Sequence, residues 1–222
     1  MPPRPVPSAA RKTKSRFRTI ADLINGLGGI PPDRIRMTPP PEFATEADLA
    51  KAGKPTCELI NGTLVEKAMG DAESIVGMNV GRLLGIHVAA GDLGVVMGEA
   101  GFIRLGKGMV RAPDVTFIPW ENLPNEEYPD EAFWAVAPGL VVEVLSPSNT
   151  PEEIVQKLKE FFAAGCKLAW VLDPASKTAK AYTSLKKVKE FDATGVLDGG
   201  KVLPGFTLPL ADVFTPRKRK GR

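Results

Sequence analysis

Apolar and polar positions alternate along this chain in a way that separates short strands from a few longer helical stretches. CELINGTLVEKAM, residues 57 to 69, reads as two strands about Asn61-Gly62, the dipeptide most strongly associated with tight hairpin turns. In AESIVGMNVGRLLGIHVAAG, Val76, Val80, Leu83, Leu84 and His87 recur at spacings of three and four, which predicts an amphipathic helix ending near Gly91. GVVMGEAGFIRLGKGMVRAPDVTFI, residues 94 to 118, predicts two strands about Gly-Lys-Gly, with Asp114 in the second strand just after Pro113. Leu140 to Leu145 is the next strand. A helix follows with Thr150 as cap, Pro151 at its first position and Glu153 three residues after the cap, a capping-box pattern. Ile154, Leu158, Phe161 and Phe162 form its buried stripe, and KLAWVLDP, AKAYTS and VKEFD continue as strands. Strands followed by a strand, helix and strand crossover over 140 to 172 predict an α/β fold, a mixed central sheet flanked by helices.

The flanks read differently. Residues 1 to 42 are rich in proline, glycine and basic residues, with one short helix expected around TIADLINGL and Thr19 as its cap. We therefore expect a basic, partly disordered extension over 1–42, a domain over 43–214 that begins with a short helix capped by Thr45, and a basic tail over 215–222. Net charge is only +3, but RKTKSRFR and PRKRKGR concentrate positive charge at both ends. Such runs either hold a phosphate backbone or act as solvated tails.

Composition removes several classes. No stretch approaches the roughly 18 apolar residues that a membrane span requires, and the N-terminus lacks the apolar centre of a secretory signal. A cytoplasmic location without membrane insertion is expected. Cys57 and Cys166 are far apart beside apolar segments and read as reduced, buried thiols; with His87 the only histidine, a zinc site lacks ligands. GFIRLGKG resembles a phosphate-binding loop, but Gly108 stands where a hydroxyl must bind Mg²⁺ and a strand pattern follows, so it reads as a hairpin turn. His87 reads as a core or interface residue. Trp120, Trp134 and Trp170 are too widely spaced for a base-stacking platform and read as packing residues.

The chemistry lies in charges placed inside apolar strands. Glu143 is centred in GLVVEVL, where an unpartnered carboxylate is strongly penalised. It therefore needs either a positive group or a metal shared with other acids. Asp114 in APDVTFI and Glu58 in CELINGT repeat the pattern of a lone acid among apolar neighbours. Two acids held together repel unless a cation neutralises them, and hard oxygens without sulfur or imidazole suit Mg²⁺ or Mn²⁺. Lys157, two turns into the helix after Glu143, is placed to aim its ammonium at the carboxylate end of that strand.

The set CELINGTLVEK, VRAPDV, VVEVLSPSNT, QKLKEFFAAGCKLAWVLDP and VLPGFTLPLADVF resembles the Uma-two family of restriction endonuclease-like proteins, within the PD-(D/E)XK nuclease superfamily, from about residue 43 to 214. The resemblance implies a restriction-endonuclease-like fold and Mg²⁺- or Mn²⁺-dependent hydrolysis of DNA phosphodiester bonds. Asp114 matches the acid of the PD step, Glu143 the acid of the E-x-K step and Glu58 the acid of the N-terminal segment. Leu145 stands where the superfamily carries lysine, and Lys157 fits the position of a migrated lysine. In AMGDAES, Glu73 or Ser74 stands where many relatives have histidine. On this reading Asp114, Glu143 and the carbonyl of Val144 hold the metal, Glu58 completes the shell, and Lys157 orients the attacking water or stabilises developing charge. DNA is the expected partner, through the basic termini, and a homodimer the expected assembly. The rival readings are a catalytically inactive nucleic-acid-binding or interaction module of the same fold, and a metal-dependent hydrolase of a small phosphate ester.

Overall fold

The computed structural model describes residues 16–68 and 70–214. The expectations for the first residues and for the basic tail from 215 onward lie outside them. The described elements are helices α1 (Ile20–Gly26), α2 (Glu46–Lys51), α3 (Asp71–Gly91), α4 (Pro151–Ala163) and α5 (Leu210–Phe214), with twelve strands. In chain order these are β1 (Cys57–Ile60), β2 (Thr63–Glu66), β3 (Gly94–Gly98), β4 (Ile103–Gly106), β5 (Met109–Arg111), β6 (Val115–Pro119), β7 (Leu140–Val144), β8 (Leu168–Asp173), β9 (Thr178–Ser184), β10 (Lys187–Phe191), β11 (Val196–Asp198) and β12 (Thr207–Pro209).

Six strands form the central sheet in the order β10-β9-β8-β7-β6-β3. Only its β7–β8 pair is parallel, and that pair is joined through α4, as a parallel connection requires. Successive side chains of β7 point to opposite faces. Leu140, Val142 and Val144 therefore pack with Val76, Val80, Leu84 and Val88 of α3, while Val141 packs with Ile154, Leu158 and Phe161 of α4. A sheet covered on both faces explains why β7 is buried throughout.

A second, four-stranded sheet runs β2-β1-β5-β4. The β1–β2 turn is the expected one: Asn61 and Gly62 both have positive φ, 50° and 74°. A Cβ added at Gly62 would stand 2.6 Å from the Glu42 carbonyl oxygen, so glycine is required there for space as well as conformation.

Residues 94–118 depart from the two-strand expectation. They form four strands in two sheets, β3 and β6 in the large one, β4 and β5 in the small one. The chain changes sheets at Ala112-Pro113-Asp114, where proline has no N–H to continue a ladder. Asp114 thus stands at the crossover, immediately before β6 rather than within a strand.

Residues 16–42 pack on the body. Leu27 and Ile30 are fully buried against Ile60 and Val65, and Arg34 forms a two-pronged ion pair with Glu153 of α4, both bonds 2.9 Å. That pair takes the Glu153 carboxylate that the capping pattern assigned to the helix start. Thr150 still accepts the Glu153 N–H at 3.1 Å. Trp170 is a core residue, but the loop before β7 brings Tyr128 against both Trp120 and Trp134, its ring centroid 5.9 and 5.8 Å from theirs. His87 packs against Phe206, and both cysteines are free and buried.

Candidate active site

Asp114 and Glu143 come together because β6 lies beside β7. The Asp114 N–H donates to the Val142 carbonyl at 3.1 Å, which continues the register that pairs Val115 with Val142. The Asp114 side chain turns back on the same strand: its Oδ2 accepts the Val144 N–H at 2.7 Å. Val144, expected at the site through its carbonyl, thus touches it through its amide. The other oxygen, Oδ1, accepts from Lys67 Nζ at 2.9 Å. Lys67 also donates to the Ala112 carbonyl at 2.6 Å.

Glu143 shares the α4 face of β7 with Val141. Its Oε2 accepts from Lys157 Nζ at 2.8 Å, as the position of that lysine two turns into α4 requires. Its Oε1 is buried and meets no donor among the described residues. Burial pushes the Glu143 carboxyl up to about 7; Asp114 and Glu58 reinforce the rise, and Lys157 and Lys67 oppose it. A half-satisfied carboxylate in a low-dielectric setting holds its proton more tightly.

Glu58 is in the same cluster but differently employed. Its Oε1 accepts the Ala112 N–H at 3.0 Å and its Oε2 accepts from Arg111 at 2.8 Å, with Lys157 Nζ 3.8 Å away. Burial favours the neutral acid, but Lys157, Arg111, Lys67 and the Ala112 N–H outweigh it and hold Glu58 down at about 2. Arg111, fully buried, also binds Glu160 of α4 at 2.7 Å. Lys157 loses by burial and gains more from Glu143 and Glu58, so it is held charged.

Glu143, Lys157, Glu58 and Arg111 therefore form one ion-paired group, and Asp114 with Lys67 forms a second pair whose charges both act on Glu143. Lys67 and Arg111 were not singled out in the sequence. Arg111, flanked by apolar residues in GMVRAP, carries the same signal as Glu58; Lys67, at the end of a strand, carries none.

The donor chemistry fits a hard divalent cation, with the Asp114 carboxylate close enough to act on Glu143 and one buried Glu143 oxygen without a partner among the described residues. Among the described residues no three His, Cys, Asp or Glu side chains form a metal cage. A cation here would draw on Asp114 and Glu143, with water or substrate supplying the rest, as Mg²⁺ commonly does. A cleft of about 480 Å³ opens beside Asp114 between α3 and the β3 and β6 strands. Glu73 and Ser74 line it along with Met78, Arg82 and Glu99.

Residues 41–211 match the Uma2 family, described as "Putative restriction endonuclease". The chain belongs to the Uma2 family. A solved structure of a putative nuclease belonging to DUF820 from Anabaena variabilis ATCC 29413 resembles this Uma2 chain with a TM-score of 0.65 at 20% identity, over 73% of this chain and 91% of that one. At that identity the likeness establishes the fold, a restriction-endonuclease-like mixed sheet with flanking helices. No curated protein matches the chain. No described helix of this Uma2 protein is long and apolar enough to cross a membrane.

Proposed function

We propose that this Uma2 protein is a divalent-metal-dependent nuclease that hydrolyses DNA phosphodiester bonds at the Asp114–Glu143 site. The observation that carries this reading is the buried Glu143 Oε1, without a partner among the described residues, near Asp114, with Lys157 fixed on the other Glu143 oxygen. A carboxylate in that state wants a cation, and Mg²⁺ or Mn²⁺ held there would polarise a phosphoryl oxygen and lower the pKa of a water. The Val144 N–H orients Asp114. Lys157 holds Glu143, and its permanent positive charge would stabilise negative charge developing on a phosphoryl group bound there. Glu58, with both oxygens engaged, positions Arg111 and Lys157 rather than touching substrate.

The test is cleavage of plasmid and oligonucleotide DNA with Mg²⁺ or Mn²⁺, compared with Asp114→Ala and Glu143→Ala. Each substitution is expected to reduce cleavage by about a hundredfold or more. Equal cleavage by all three proteins would assign the activity to a contaminant and end the proposal. One observation favours the rival binding module: Lys67 already neutralises Asp114. That reading predicts DNA binding without any metal requirement.

A further inference from the structure

Each of the two acids has one lysine, but the lysines stand in unequal places. Lys157 binds Glu143 Oε2, and the buried Oε1 meets no donor among the described residues. Asp114 has given Oδ2 to the Val144 N–H, so the oxygen that Lys67 occupies, Oδ1, is the one with which Asp114 would meet a cation. Lys67 is also anchored for this place. Its backbone N–H donates to the Thr56 carbonyl at 2.8 Å, its side chain is only 3% exposed, and the Ala112 carbonyl fixes its ammonium. A buried ammonium without a carboxylate is costly, and Asp114 is the carboxylate it has. Two carboxylates and two ammoniums leave this pair of acids neutral without any added ion.

We propose that Lys67 is a tethered counter-ion that competes with the divalent cation for Asp114 and thereby sets the metal affinity of the site. This rests on the nuclease reading above. A cation arriving at Asp114 must displace the Lys67 bond or sit against its positive charge, and either weakens binding. The Ala112 carbonyl gives the ammonium a partner to keep when it leaves Asp114. Lys67 is thus a positioning residue that sets how strongly Asp114 can meet a metal.

Calorimetric titration with Mn²⁺ in the absence of DNA tests this on the full chain. Lys67→Met removes the charge while keeping an unbranched side chain one atom shorter; Lys67→Gln removes it while retaining an N–H donor; Lys67→Arg keeps it. Circular dichroism and thermal melting establish that each variant folds, and Lys67→Gln serves if Lys67→Met does not. The neutral variants are expected to bind Mn²⁺ about tenfold or more tightly than wild type, and Lys67→Arg to stay close to wild type. Neutral variants that bind Mn²⁺ equally or more weakly than wild type overturn the competition while leaving the nuclease reading standing. Absence of Mn²⁺ binding in wild type and neutral variants alike overturns both.

Discussion

Glu58 and Glu143 are buried near each other and feel the same two lysines, yet their protons respond in opposite directions. Glu58 has a donor on each oxygen and is held at about 2, below the ordinary 4.5. Its contribution to stability is therefore complete above about 4.5 and is lost as pH falls toward 2. Glu143 has one oxygen without a donor and is raised from 4.5 to about 7, chiefly by burial. The folded state then binds the Glu143 proton more tightly than the unfolded chain, so its contribution is complete below 4.5 and is lost as pH rises through 7. In thermal melts with EDTA, wild type is expected to lose stability between pH 5 and 8, and Glu143→Gln, which cannot ionise, to show a flatter profile over that interval. An unchanged slope in the variant would show that Glu143 is not the titrating group. The acids were legible because a lone charge in an apolar strand is anomalous on its face. Lys67 was not, because a lysine at a strand end is ordinary until the crossover at Pro113 brings Asp114 against it.

Among the elements, α4 carries the strongest local signals and also the largest non-local tie. Its cap is written in sequence as Thr150-Pro151, and Thr150→Ala should cost about 1 kcal/mol. Its link to Arg34, 119 positions away, has no local signature, because Glu153 satisfies the expected capping pattern equally well on paper. The outcome is decided by burial: a fork-to-fork arginine pair satisfies both carboxylate oxygens, and Asn149 adds a further donor at 2.9 Å. Removing one partner leaves a buried charge, so Glu153→Ala should destabilise by about 3–5 kcal/mol, and the double replacement Arg34→Met with Glu153→Leu should recover much of that. Urea unfolding of the two variants checks this, and a double variant no better than Glu153→Ala would deny the burial argument. The same gap between local and distant information explains residues 94–118. Their alternation announced strands, but not that β3 and β6 enclose a hairpin belonging to another sheet.

At the scale of the molecule, the charge that could attract DNA and the acids proposed to cut it are separate in sequence. The cluster of Asp114, Glu143, Lys157, Lys67, Glu58, Arg111 and Glu160 contains four acids and three bases. It offers little net attraction for a polyanion. The termini offer more: residues 216–222 alone carry Arg217, Lys218, Arg219, Lys220 and Arg222. If those residues hold the phosphate backbone, each neutralised phosphate releases counterions, and log K falls against log salt with a slope of about 0.9 per phosphate. Deleting 216–222 should therefore flatten that slope by about one unit for every phosphate the tail had neutralised, raise the DNA concentration needed for half-maximal cleavage, and leave cleavage at saturating DNA near its original rate. Fluorescence anisotropy on a labelled duplex across a salt series, beside the cleavage assay, measures both. A slope that survives the deletion would place the phosphate-binding groups on the folded body and make the tail a solvated end. A fall in the saturated rate would mean that the tail reaches the reacting phosphate itself.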